Sequence, residues 1–479
     1  MSSGRARWAV LGTVCLVQLV VVLDNTVLNV ALPELGRALG AGTPALQWIT
    51  TAYSLAQAGL LLTAGAAADR YGRRRMLLAG LLVFGAGSLA AALAGGTGQL
   101  VAARAVMGVG GALLTTATLA VVMQVFDGAE RDRAIAVWAM VSALGFAAGP
   151  PIGGLLLAHF WWGAVFLANL PVVLLGLLAA RRLVPESHGR RDGRPDLVGA
   201  VLSTVGMVSV VRAITAGPDL PTVAVAVAAL TGFLCWERRT AQPMLDLAFF
   251  RDRRFTGAVS GVLLITAGST GALFLLTQQL QLVHGLTPLA AGLRMAPFAL
   301  TVVLLHLTGV STRLIARLGT AGAIALGMAL LAAGLAVTVT GALPVGLLLM
   351  GTGCALANPA LVAAVLGAIP PEKAGAGAGI DGATAELGAS LGVAVLGAVL
   401  DARFTALAPA GVPADSPYTA LGAGRPDLVH AFGEAARTAQ LLGAATVLAG
   451  GLLAALLLRR ADRAPLTSRR NNPHAAQRP

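Results

Sequence analysis

Apolar runs of about 17 to 27 residues recur along the whole chain, and each is long enough to cross a hydrocarbon core of about 30 Å at a rise of 1.5 Å per residue. In lipid the backbone polar groups must be satisfied within the protein, so a chain made of such runs folds as packed α-helices. Fourteen runs are expected, near 8–31, 47–66, 76–95, 98–122, 134–157, 162–181, 197–216, 221–237, 256–282, 289–310, 320–340, 343–365, 375–399 and 436–458. Only 11% of the 479 residues are charged, against roughly 25% in soluble domains, so lipid is the expected solvent.

The formal charge of +13 raises nucleic acid as a partner, but the placement of the charges argues against it. Of the 34 lysines and arginines, 27 fall in alternate segments that share one side when the N-terminus is placed inside, including Arg70, Arg73, Arg74 and Arg75. The outward segments hold only Arg37, Arg403, Arg425 and Arg437, an asymmetry that predicts both termini in the cytoplasm. Basic patches with interleaved aromatics are absent, so no nucleic-acid role is expected. Cys15, Cys235 and Cys354 are isolated within predicted spans, and neither a disulfide framework nor a metal site is expected.

The expected organisation is a six-helix bundle over 1–182, a linker with two extra transmembrane helices over 183–254, a second six-helix bundle over 255–460, and a disordered cytoplasmic tail over 461–479. A degenerate repeat supports the division: AGAAADRYGRRR after the second span is matched by STRLIARLGTAG in the second half, with Ala316 where the first half has Asp69. Repeated halves suit a transporter whose substrate site lies between them near the midplane.

Several residues depart from the apolar background. Asp24 lies within LDNTVLNVALP in the first span, where an insertion cost of about 2.5–3.5 kcal/mol marks a carboxylate that faces a bundle interior or a cavity. It reads as a proton switch or as a structural, hydrogen-bonded acid. Arg104 lies in the fourth span at a depth that lets it reach Asp24, as a functional partner or a static ion pair. Asp381 and Glu386 share the thirteenth span about 140° apart around the helix; Glu386, the deeper, is the expected cavity-facing acid, for a proton, a cationic substrate or each in turn. Gly145, Gly149, Pro150, Gly153 and Gly154 in GFAAGPPIGG are expected to give a bent, closely packed fifth span, which reads as a hinge or seal between the halves or as packing alone. Asp69, Arg70, Gly72, Arg73 and Arg74 form a charged turn that reads equally as a topology signal or a gating latch. Arg212 and Arg294 lie near outer helix ends, where they can snorkel.

In this order, LDNTVLNVALP, ADRYGRRR, Arg104 with its glycines and GFAAGPPIGG resemble the major facilitator superfamily, and within it the fourteen-span drug:proton antiporters, over nearly the whole chain. The resemblance implies the major facilitator fold, alternating access, a latch role for the ADRYGRRR loop, and proton-coupled export of hydrophobic, often cationic drugs or antibiotics. One departure is Ala385, where many relatives carry an arginine before the acid. Export of the host's own natural product is the nearest alternative, and nutrient uptake is a weaker one. No metal cluster, nucleophile elbow or phosphate loop supports an enzyme, and no cofactor is expected. The expected partners are a small drug-like substrate, protons and the lipid of a bacterial cytoplasmic membrane, with the chain acting as a monomer.

Overall fold

A computed structural model describes residues 4–187, 195–240, 243–369, 374–409 and 426–463. Parts of the expected linker and external segment, and the expected tail from 464 onward, lie outside the described residues. The architecture is all-α, without a strand among the described residues. The first half holds α1 (Gly4–Leu39), α2 (Thr43–Tyr71), α3 (Arg73–Ala92), α4 (Thr97–Val125), α5 (Gly128–His159), short α6 (Ala164–Leu167) and α7 (Asn169–Leu183). The hairpin of α8 (Leu197–Thr215) and α9 (Leu220–Arg239) follows, then α10 (Arg253–Gln278), α11 (Pro288–Leu307), α12 (Val310–Thr338), α13 (Leu343–Gly367), α14 (Ala374–Leu407) and α15 (Pro426–Arg463).

Among the described residues twelve spans are long and apolar enough to cross a membrane, the α6–α7 segment counting as one. Fourteen were expected, and that count is not established. The difference falls on α2 and α5, helices of 29 and 32 residues that carry the expected second and fifth spans. Thr, Ser, Gln and small residues dilute the apolar character of α2, and several α5 side chains lie outside the described ones.

Helix direction defines two ends, named here for the glycines that flank α2: the Gly42 end, where α1 ends, and the Gly72 end, where α1 begins. Gly72, at φ 107°, makes the left-handed turn between α2 and α3. Gly319 lies in the same region at φ 70° and breaks α12 after Leu318. Only glycine adopts such values without a Cβ penalty, which is why the degenerate repeat keeps this residue while losing the acid and most of the arginines.

The apolar core of the first half includes Phe84, Leu100 and Met107, and it continues into Phe274, Leu400, Phe404 and Phe432 from the second half. These last four lie toward the Gly42 end, so the halves share one core there. The second half also has a core of its own that runs along its helices, from Leu280, Met295 and Leu347 toward the Gly42 end to Ile324, Met328 and Leu361, with Leu62 of α2 packed against it. Two buried amides reinforce the shared end. Gln47 Nε2 donates to the carbonyls of Val393 and Ala394, both at 3.0 Å, and Gln281 Nε2 donates to that of Val30 at 2.9 Å. The bundle is thus sealed between halves at the Gly42 end.

Candidate functional site

The structure brings Asp24 and Arg104 into a buried ion pair, with both side chains 0% exposed. Asp24 lies on α1 and Arg104 on α4, and glycines on α4 let that helix approach closely: a Cβ on Gly108 would strike the Tyr53 carbonyl. Arg104 also donates from Nε to the Ile49 carbonyl at 3.2 Å and from a terminal nitrogen to Asn25 Oδ1 at 3.4 Å. Its guanidinium stands 4.6 Å from the centroid of the Tyr53 ring, a cation–π contact.

The second oxygen of Asp24 accepts from Asn169 Nδ2 at 2.8 Å. Asn169 also donates to Ser88 Oγ at 3.0 Å, and Ser88 donates to the Phe166 carbonyl at 2.8 Å. Asn169, Ser88 and Tyr53 did not emerge from the sequence. Asn169 stands two residues before Pro171 at the start of α7, where an asparagine looks like a cap, and serine and tyrosine in a helix carry no distinctive spacing. The cluster joins α1, α2, α3, α4 and α7, and it lies wholly in the first half.

Beside it, between the halves, is a cavity of about 260 Å³ lined from α1, α2, α4, α10 and α14. Its one charged lining residue among the described ones is Glu386 on α14, where Gly388 and Gly392 allow close approach to the Leu263 and Ala267 carbonyls of α10. Ser54 on α2 lines this cavity together with Glu386 and adjoins Tyr53, so neighbouring residues of one helix reach the two charged sites. Asn25 does the same from α1, lining the cavity and bonding Arg104. Asp381 lies apart from this cavity; its Oδ1 is buried with no hydrogen-bond partner among the described residues.

The charged turn gathers its partners within the first half. Arg73 pairs with Asp69 at 3.1 Å and donates to the Ala120 carbonyl of α4 at 3.0 Å. Arg74 donates to the Arg181 carbonyl of α7 at 2.5 Å. Arg70 lies 5.8 Å from the centroid of the Tyr71 ring. In this conformation these contacts tie α2, α3, α4 and α7 together around Gly72.

The α5 motif divides its work between two neighbours. Gly145, Gly149 and Gly153 face α1, where a Cβ would crowd Leu19, Thr26 and Val27 respectively. Gly154 faces α11, 2.5 Å being the distance from its built Cβ to Leu289 Cα. Pro150 presents its carbonyl to Gly292 of α11, which also has no room for a Cβ. One stripe therefore packs within the first half, and the other crosses to the second.

A membrane-crossing bundle of two helical halves enclosing a cavity is the architecture of a transporter. The Major Facilitator Superfamily pattern matches residues 14–393, and the chain belongs to that family. It is 36% identical over 402 residues to the multidrug resistance protein Stp of Mycobacterium tuberculosis, covering 81% of this chain and 74% of the relative. It is 38% identical over 429 residues to the methyl viologen resistance protein SmvA of Salmonella typhimurium, covering 85% and 86%. A bacterial homologue of the lysosomal transporter Spinster, in an inward-facing and unoccupied conformation, shares the fold with TM-score 0.68 at 16% identity, covering 96% of this chain and 98% of that one.

Proposed function

We propose that the chain exports small organic cations from a bacterial cytoplasm in exchange for protons, with both termini on the cytoplasmic side. The observation that carries this reading is the adjacency of a fully buried Asp24–Arg104 pair and a cavity whose one charged residue among those described is Glu386. Resistance and efflux relatives support the direction of transport.

A carboxylate held out of water keeps its charge only while a cation faces it, so protonation of Asp24 weakens its hold on Arg104. Arg104 then rearranges against Tyr53 and Asn25, and through Ser54 and Asn25 the change reaches the Glu386 cavity. A cation bound at Glu386 competes with a proton for the same carboxylate, which is the requirement for exchange. The Gly42 end is the outer gate in this scheme, and the first-half unit tied by Arg73 and Arg74 moves as one body.

The test is substrate-evoked proton movement in liposomes containing the full chain and a trapped pH dye. An organic cation from a panel of glucosamine, tetraethylammonium and ethidium should dissipate an imposed pH gradient with the wild-type protein and not with Asp24→Asn. Equal proton movement in Asp24→Asn would refute the role given to Asp24, and none with any cation would sink the exchange reading.

A further inference from the structure

The hairpin of α8 and α9 lies between the two halves in the chain, and its contacts with them differ in kind. Helix α8 packs against both α2 and α14, which also pack against each other, so it lies along the seam where the first half meets the second. Helix α9 rests on α8 and is keyed to it at Gly206, where a Cβ would lie 2.6 Å from Leu230 Cδ2.

Toward α2 the contact is interlocked and polar. A Cβ on Gly59 would lie 2.9 Å from Thr204 Cβ, so the threonine is seated in the notch the glycine leaves. Its hydroxyl donates to the Ala200 carbonyl of its own helix at 2.7 Å. One turn nearer the Gly72 end, Thr63 Oγ1 donates to the Asp196 carbonyl at 3.3 Å and lies 3.7 Å from Met244 Sδ. The ends of the hairpin are tied to each other there: Trp236 Nε1 donates to Asp196 Oδ1 at 2.9 Å, and the Leu245 backbone N–H donates to Glu237 Oε2 at 3.1 Å. Past Leu245 the chain crosses to the second half, where Phe249 and Phe250 pack on Phe255 of α10 with ring centroids 5.5 and 5.1 Å away.

Toward α14 the contact is apolar. Met207, Val211 and Ile214 join Leu387, Leu391 and Ala394 in one cluster, together with Leu55 of α2. Leu387 adjoins Glu386 and Leu55 adjoins Ser54, so the cluster backs the wall of the central cavity that carries the charge. In a bilayer the surroundings are as apolar as these side chains, and one apolar neighbour is exchanged for another at little cost. Lifting Thr204 from its notch leaves a gap, and parting Thr63 from Asp196 leaves polar groups to be satisfied again without water.

We propose that the hairpin moves with the first half as one body, and that its apolar face slides over α14 when the halves move against each other. The seam beside Glu386 then stays covered from lipid throughout the cycle, and the cover does not resist the change of conformation. The inference rests on relative motion of the halves, but neither on proton coupling nor on a cationic substrate.

The experiment measures distances between pairs of spin labels on the full chain in lipid nanodiscs, at Val201 of α8, Leu82 of α3 and Leu452 of α15, all exposed. The exposed Cys235 is replaced by alanine, while Cys15 and Cys354 are buried. Each pair is compared at acid and alkaline pH and in a Gln47→Leu background. The Leu82–Leu452 distribution should shift between these conditions, Val201–Leu452 should shift with it, and Val201–Leu82 should stay as it is. A shift in Val201–Leu82 would overturn the inference. So would a Leu82–Leu452 distance that is fixed under every condition, because the motion itself would be missing. Tethers in liposomes give a second measurement. Joining Gly59→Cys to Thr204→Cys by a disulfide should leave cation-evoked proton movement intact. Joining Val208→Cys to Leu391→Cys by a short cleavable thiol cross-linker should abolish it until reductant is added. The opposite pattern would overturn the inference. Untethered protein that moves no protons would refute the exchange reading alone, and the label distances would still decide how the hairpin moves.

Discussion

The two halves carry their membrane-embedded charge in opposite ways. In the first half, Asp24 and Arg104 neutralise each other and are held by Asn169, Asn25, the Ile49 carbonyl and the Tyr53 ring, with no exposure of either charged side chain. In the second half Glu386 is in no ion pair among the described residues and faces a cavity that Ser54 also lines. A charge that is fully caged is suited to switching between two discrete arrangements. A charge at a cavity wall is suited to exchanging ligands. Placing the two beside successive residues of α2, Tyr53 and Ser54, lets one report on the other without direct contact.

The largest expected effect comes from breaking the cage on one side only. Arg104→Gln leaves a buried carboxylate without its counter-charge and should destabilise the protein by about 3–5 kcal/mol, seen as a lowered midpoint in thermal unfolding of the detergent-solubilised chain. Adding Asp24→Asn should restore most of that stability, because two neutral amides no longer carry an unpaired charge. The double variant should nevertheless move no protons. An equally unstable double variant would show that the pair is held by shape rather than by charge.

Glu386→Gln tests the opposite pole. Because this carboxylate has no buried counter-ion, the variant should fold with nearly unchanged thermal stability. Its affinity for a singly charged cation should fall by roughly tenfold to one hundredfold, the loss of a charge-assisted hydrogen bond of about 1.5–3 kcal/mol. A loss of stability on the scale of Arg104→Gln would erase the distinction between the two sites. Asn169→Leu comes next: it deprives one oxygen of Asp24 of its donor, and an unsatisfied buried acceptor costs about 1–3 kcal/mol. The same change in an Asp24→Asn background should cost less, which a double-mutant cycle measures.

How far the sequence revealed these features depends on what kind of signal each one leaves. The all-α membrane class is written in run length, though the count of fourteen spans is not established, and Asp24, Arg104 and Glu386 stand out because charge is rare in apolar runs. Asn169 and Ser88 leave no such trace, since neutral polar residues are common at helix starts and on small-residue faces. The hydroxyls that line the cavity are no different in sequence from those facing lipid or a neighbour; only helix rotation, which depends on packing, tells Thr266 from Thr308. The four-residue spacing of Gly145, Gly149 and Gly153 showed a packing stripe. That the adjacent Pro150 and Gly154 cross to α11 follows from α5 lying between two helices, which no spacing within α5 encodes. The dilution of α2 by polar residues belongs with its cavity-lining role, so the helix that connects both charged sites is one that apolarity alone marks least.

The smallest expected effect concerns the seam that keeps the caged and open charges in register. Gln47 on α2 donates to two carbonyls of α14, and a Cβ on Gly397 of α14 would meet the Gln47 amide, so this side chain is fitted between the halves. Gln47→Leu keeps similar bulk and removes both donors. Helical carbonyls already accept a backbone bond, so the loss is that of ordinary neutral hydrogen bonds, about 0.5–1.5 kcal/mol. If the Gly42 end is the outer gate, that energy should appear as a shift of about twofold to tenfold toward the conformation open at that end. A pair of spin labels on the Gly42 ends of α2 and α14 reads the shift as a growing long-distance population, while thermal stability changes little. An unchanged distance distribution would mean that the apolar core around Phe404 and Phe432 closes this end alone, and that the two charged sites are kept in register from elsewhere in the bundle.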